Sequence, residues 1–182
     1  MNAHDFDPTR LDVEAFASEA GELAGNWPLS GFGRVGESLA IAPQDADQVA
    51  WSARGERRLT RGGAAAQTWL HVSASGALAL QCQRCLQAVA VEIQIDRNFM
   101  FVPGEAAAAQ LDAETDDDVL ELPRALDLRE LVEDEILLAM PLVPRHDICP
   151  EPLSAPVDEA KADEAPHPFA ALAALKKSDP AN

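Results

Sequence analysis

Cys82 and Cys85 stand in the stretch LQCQRCLQAV as a C-x-x-C pair. The chain's other cysteine, Cys149, ends the stretch RHDIC, which gives His146 and Cys149 the same spacing. Three chemistries suit such residues. A thiol–disulfide centre wants its pair at a helix N-terminus, where the dipole lowers a thiol pKa. Here LALQCQRCLQAVAVEI reads as strand, tight turn, strand, with no βαβ pattern around it, and that context speaks against a C-x-x-C thiol oxidoreductase. Zinc takes four Cys or His ligands. Cys82, Cys85, His146 and Cys149 would close a Cys3His site across the sixty residues that separate Cys85 from His146. The third reading is a tight β-turn holding two small, partly buried thiols. The zinc and packed-turn readings stand side by side, and both make the pair structural rather than catalytic.

The elements that must position these residues are visible in outline. From about Arg34 to Phe101 the pattern is β-like: VGESLAIA, VAWSARGERR, TWLHVSA, ALALQCQ and AVAVEIQIDRNFMF are short runs with partial period-2 alternation. In the last, Val89, Val91, Ile93 and Ile95 face one way and Glu92, Gln94 and Asp96 the other. Gly55, Gly62, Gly63 and Gly76 fall where turns are expected. The whole predicts an antiparallel meander with one face in water. The first 30 residues are mixed and turn-rich. PGEAAAAQLDAETDDD predicts a mobile loop, and VLELP a short strand. LDLRELVEDEILLAMP carries the strongest helix signal. Asp127 caps it, and Glu130 completes a capping-box pattern. Leu128, Leu131, Val132, Leu138, Ala139 and Leu142 form its expected buried stripe, and Pro141 and Pro144 end it.

Beyond Cys149, PEPLSAPVDEAKADEAP reads as an acidic linker. HPFAALAALKK follows as a short terminal helix with Phe169, Leu172 and Leu175 recurring every three residues. Such a helix is marginal alone. It suits either a docking peptide for a partner groove or a cap on the protein's own sheet.

The 182 residues are 47% apolar with no tyrosine and carry a formal net charge of −17. Nonspecific nucleic-acid binding needs many Lys and Arg on phosphates, so this charge favours basic protein partners, or RNA contact through one local patch. Residues 105–135 hold twelve acidic side chains against two Arg, whereas residues 32–98 hold seven Arg against six acidic residues. No basic n-region with an apolar run opens the chain, and no apolar stretch reaches the length of a membrane span. These features, with an odd cysteine count, predict a cytoplasmic protein without a disulfide framework.

Three further groups are candidates for binding. Arg54, Arg57, Arg58 and Arg61 crowd ARGERRLTRGG between two β-like runs. They are an RNA-contact candidate without interleaved aromatics, or a solvated, salt-bridged hairpin. Glu133, Asp134 and Glu135 sit in the main helix as partner-binding candidates. Glu135 lies close enough to the apolar stripe to pair with an arginine of the sheet. His71, in a β-like run, reads as a packed histidine. No Ser-His-Asp order, phosphate-cradling glycine loop or paired acid and base is present.

LQCQRCLQAV, LVEDEILLAMPLVPRHDIC and HPFAALAALKK, in that order, closely resemble the YceD family of bacterial proteins, also called the large ribosomal RNA subunit accumulation protein family. The resemblance implies a non-enzymatic ribosome-biogenesis factor supporting synthesis, processing or stability of 23S rRNA. It carries over Cys82, Cys85, Glu135, Pro141, Pro144 and Cys149. Many relatives have a cysteine pair at the second position, where this chain has His146.

The expectation is therefore an α+β domain over residues 1–150, a largely antiparallel sheet packed by one helix at 127–140. An acidic linker and a short helix follow over 151–182. Its partner would be large-subunit rRNA, a pre-ribosomal particle, or a basic ribosomal protein or assembly factor, with no membrane. The rival classes are a zinc-ribbon-like nucleic-acid-binding regulator and the thiol oxidoreductase.

Overall fold

A computed structural model describes residues 6–59 and 66–151. Contacts divide the chain into two units, Met1–Glu151 and Pro152–Asn182. The expected linker beyond Glu151 and the terminal helix, with Phe169, Leu172 and Leu175, fall in the second unit and outside the described residues; Arg61 of the first unit also lies outside the described residues.

The fold is α+β. The elements run α1 (Val13–Ser18), β1 (Glu22–Pro28), α2 (Gly33–Gly36), β2 (Gln48–Leu59), β3 (Ala66–Gln81), β4 (Ala88–Val102), α3 (Glu105–Glu114), β5 (Asp118–Glu121) and α4 (Leu128–Ala139). The sheet order is β1-β2-β3-β4-β5. The first four strands form the expected antiparallel meander, and β5 joins β4 in parallel. One sheet face carries Trp51, Ala53, Leu70, Val72, Leu78, Leu80, Ile93, Ile95 and Phe99. It is packed by Val13 and Phe16 of α1, Val35 of α2, and Leu128, Val132 and Ile136 of α4. Removing a large aliphatic or aromatic side chain from water in this way stabilises by roughly 1.5–3 kcal/mol each.

Asp127 does cap α4. Its Oδ1 accepts from the N–H of Arg129 at 2.9 Å and of Glu130 at 3.2 Å. The buried stripe differs from expectation. Leu128, Val132 and Ile136 are buried, with Glu133 and Glu135 beside them, while Leu138 is 72% and Leu142 98% exposed and Ala139 is exposed. Burial follows the i, i+4, i+8 line through Val132, and the helix stops at Ala139 before Leu142 can join it.

Other expectations are corrected. VGESLAIA is not a strand. It begins in the short helix α2, and only Leu39 bridges to Leu80. The acidic stretch 105–114 is a helix, because its Ala-rich run has strong helix propensity. Ala108 and Leu111 also find a partner in a second small core with Trp69, Met100 and Val119, on the opposite side of the sheet. The other face is thus wet only in part. The first 30 residues hold α1 and β1, and along β1 exposed positions alternate with partly buried ones, none of them fully buried. Gly55 lies inside β2 rather than at a turn. A Cβ there would come within 2.7 Å of Phe16 Cδ1 and 2.8 Å of Ala17 Cα, so α1 rests directly on the strand backbone. Gly76 is likewise within β3.

Candidate metal centre

The β3–β4 pairing runs to Gln81↔Ala88, so residues 82–87 are the hairpin loop itself. Cys82 N–H donates to Gln87 O, and Leu86 N–H to Cys82 O, both at 2.9 Å. This tight closure places Leu86 at φ +62, a left-handed conformation rarely adopted by a branched side chain. The second half of the site comes from the chain leaving α4. Pro144 O accepts from Gln83 N–H at 2.9 Å, which lays the RHDIC stretch along the hairpin loop.

The two loops bring together all four residues that the spacing singled out. The ligand atoms of Cys82, Cys85, His146 and Cys149 lie within 4.8 Å of one another. Cys82 Sγ is 3.9 Å from Cys149 Sγ, and Cys85 Sγ is 3.4 Å from His146 Nδ1. The thiols are free, and the sulfurs are well beyond the roughly 2.05 Å of a disulfide. A tetrahedral zinc with Zn–S bonds of about 2.3 Å sets its sulfurs about 3.8 Å apart, so the separation fits that ion.

The electrostatics fit a cation as well. Burial pushes the Cys82 thiol up, but backbone N–H groups of Cys85, Arg84 and His146 point at its sulfur. The net effect holds it down at about 5. Burial and the neighbouring Cys85 and Cys82 sulfurs push Cys149 up to about 11. One sulfur is thus prepared as a thiolate, and the crowding of the others is what a metal ion relieves. His146 Nε2 lies 3.0 Å from Ala88 O. A neutral ring donating there presents a bare Nδ1 to the thiols, the arrangement that orients metal-bound histidines. Cys82 has no exposed surface and Cys85 only 5%, poor access for a thiol that must attack a substrate.

The other candidates are dispersed. Arg54, Arg57 and Arg58 lie in β2 rather than in one loop, with Arg54 and Arg58 on one face and Arg57 on the other. Arg57 donates to Thr68 Oγ1 at 2.8 Å. Arg58 pairs with Glu56 and stacks over Trp69 with its guanidinium 4.2 Å from the ring centroid. Arg54 is exposed and has no ion pair among the described residues. His71 is partly exposed on the outer face of the sheet rather than packed in the core, and its ring pairs with Asp96 at 2.5 Å.

Glu133 and Glu135 are turned into the fold. Glu133 Oε1 accepts from the N–H of Arg34 at 2.7 Å and of Val35 at 3.2 Å, holding the start of α2. Asp134 beside Glu133 raises the Arg34 pKa. Glu135 Oε2 accepts from Arg97 Nε at 3.0 Å, the sheet arginine expected from the sequence, and this bond with Asp118 nearby raises the Arg97 pKa. The part played by Arg34 and Arg97 was missed. Arg97 had a signal: in EIQIDRNFMF it takes the phase of Ile93 and Ile95, so a core-facing charge was due there.

An α+β domain whose sheet hairpin is clasped to the segment after its main helix by a Cys3His cluster is what the fold and site define. Residues 70–176 match the family model described as large ribosomal RNA subunit accumulation protein YceD. That span exceeds half of the chain, and the chain belongs to this family. The matched span includes all four clustered residues. No solved structure matches the chain. No helix among the described residues is long and apolar enough to cross a membrane.

Proposed function

We propose that this protein supports accumulation of large-subunit 23S rRNA in the cytoplasm by binding, without catalysing a reaction, and that zinc closes the Cys82, Cys85, His146 and Cys149 cluster. Family membership supports the rRNA role. The observation that carries the structural half is the convergence of four ligand atoms from loops sixty residues apart. Zinc there supplies a fixed cross-link between the β3–β4 hairpin and the chain leaving α4, and so a rigid platform.

The net charge of −17 supports a basic ribosomal protein or assembly factor as the direct partner. Asp134, half-exposed in its side chain, belongs to the acidic surface such a partner would meet. Glu133 and Glu135 act beneath it by holding α2 and β4 in place. Direct rRNA contact, in this reading, is local and centred on Arg54. Arg57 and Arg58 add charge along β2, Arg61 follows them in the sequence, and Phe169, Leu172 and Leu175 offer an apolar docking segment.

Fractionation of the tagged full chain on a density gradient tests this. Co-migration with large-subunit precursors, together with a basic ribosomal or assembly protein in the same particles, is the expected result. Recovery of rRNA with no ribosomal or assembly protein would overturn the partner assignment. Arg54→Ser should flatten the salt dependence of rRNA binding by about one unit of slope, and no change would remove Arg54 from the interface.

A further inference from the structure

The strand pairing fixes which backbone groups of β4 look outward. Ala40 N–H donates to Ala79 O at 2.7 Å, so Ala79 turns its carbonyl away from β4. Its cross-strand partner is Ala90, which therefore turns its own N–H and C=O away from β3. With a period of two, the same holds for Ala88, Glu92, Gln94, Asp96 and Val102. Both ends of the strand obey. Ala88 O meets His146 Nε2 at 3.0 Å, and Val102 O accepts from Leu122 N–H at 2.8 Å.

Between those ends no described element pairs with the edge. β5 pairs only with residues Phe99 to Val102. The outward N–H and C=O groups of Ala90, Glu92, Gln94 and Asp96 have no hydrogen-bond partner among the described residues, and all four residues are exposed. Sheets seldom leave such an edge bare, because it is a template for another strand.

A second observation lies on α4. Glu135 reaches β4 through Arg97, which turns that flank of the helix toward the open edge. Leu138 follows three residues later on the same flank, and it is 72% exposed. An apolar side chain on the flank that meets β4 is thus left in water.

We propose that the Ala90–Asp96 edge of β4 takes, by strand addition, an extended segment of a basic protein in which apolar residues alternate with Lys or Arg. The added backbone would satisfy the four outward N–H and C=O pairs. Its apolar side chains would pack on the helix side with Leu138, and its cations would stand across from Glu92 and Asp96 on the other face. The same two carboxylates disfavour a second copy of this chain, which would bring a further −17 of charge to the edge. They disfavour RNA for the same reason. The inference rests on the reading of the chain as a binding factor and adds the partner's chemistry and its seat.

The test uses the full chain and three ten-residue peptides: alternating Val and Lys, the same composition with Val and Lys in blocks, and alternating Val and Glu. Amide exchange followed by NMR should slow at least tenfold at Ala90, Glu92, Gln94 and Asp96 with the alternating Val–Lys peptide alone. Gln94→Pro removes one outward donor at an edge position where proline is tolerated, and should weaken binding at least tenfold. Should that variant misfold, Glu92→Lys with Asp96→Lys leaves the backbone intact and should weaken binding as much.

Unprotected edge amides, equal protection by the Val–Glu peptide, or protection that appears on concentrating the chain alone would each overturn the inference. Loss of large subunits on deleting the protein, with the edge amides unprotected, would leave the rRNA role standing and remove only this edge.

Discussion

His146 Nε2 lies 3.0 Å from the carbonyl oxygen of Ala88, the first residue of β4. That one hydrogen bond decides which ring nitrogen faces Cys85. It ties the histidine to the same strand that the cysteine loop precedes, so the hairpin and the RHDIC stretch register each other.

The first prediction follows from that ring. His146→Ala removes a ligand and should lower zinc affinity by at least 10–100-fold, the scale seen for lesser changes around a metal site. His146→Cys supplies a thiolate in its place, completes a four-cysteine set, and should keep zinc bound. Competition with a chromophoric chelator measures both. Equal affinity in His146→Ala and the parent chain would remove His146 from the site.

Metal removal should loosen the clasp between the hairpin and the chain after α4. The purified protein should hold one zinc per chain. Stripping it, or Cys82→Ser, should cost about 3 kcal/mol or more, a fall in Tm of roughly 6–12 °C for a domain of this size. Elemental analysis and a thermal melt read the two quantities. A metal-free chain melting at the same temperature as the loaded one would return the cysteines to the packed-turn reading.

Glu133 acts as a backbone acceptor more than as half of a surface ion pair. Glu133→Ala leaves the N–H groups of Arg34 and Val35 without their acceptor and should destabilise by about 1–3 kcal/mol. Glu133→Gln retains a carbonyl oxygen and should lose less. Urea titration of both variants separates the roles, and equal losses would assign the effect to charge alone.

Gly55→Ala sets a methyl into the Phe16 ring edge and the Ala17 backbone. It should destabilise by about 1–3 kcal/mol, as overpacked cores do. Trimming the aromatic with Phe16→Leu should recover part of that loss. An unchanged midpoint in Gly55→Ala would show that α1 gives way without cost.

The sequence made some of this visible for clear reasons. Asp127 before an apolar-periodic run marks a helix start by local chemistry, and α4 begins there. The alternation of Val89, Ile93 and Ile95 is a property of one strand, and β4 has it. The four clustered residues were readable because a metal site restricts both residue type and spacing, and Cys82, Cys85, His146 and Cys149 meet both restrictions. What escaped depends on contacts between distant segments. Gly55 reads as a turn until α1 is known to lie on it, and VGESLAIA reads as a strand until the Glu133 carboxylate is known to hold the N–H groups of Arg34 and Val35 at its head in a helical turn. Leu138 belongs to an apolar stripe on paper, but Glu133 and Glu135 are drawn inward by Arg34 and Arg97 and set the helix face differently. The arginine run looked like one patch because sequence proximity ignores that neighbours on a strand face opposite ways.

The most direct measurement is sedimentation of ribosomal particles from a strain lacking this protein. The account predicts a selective fall in large subunits relative to small ones, with precursor 23S rRNA accumulating and the ratio restored by the intact gene. An unchanged ratio of large to small subunits in the deletion strain would contradict it.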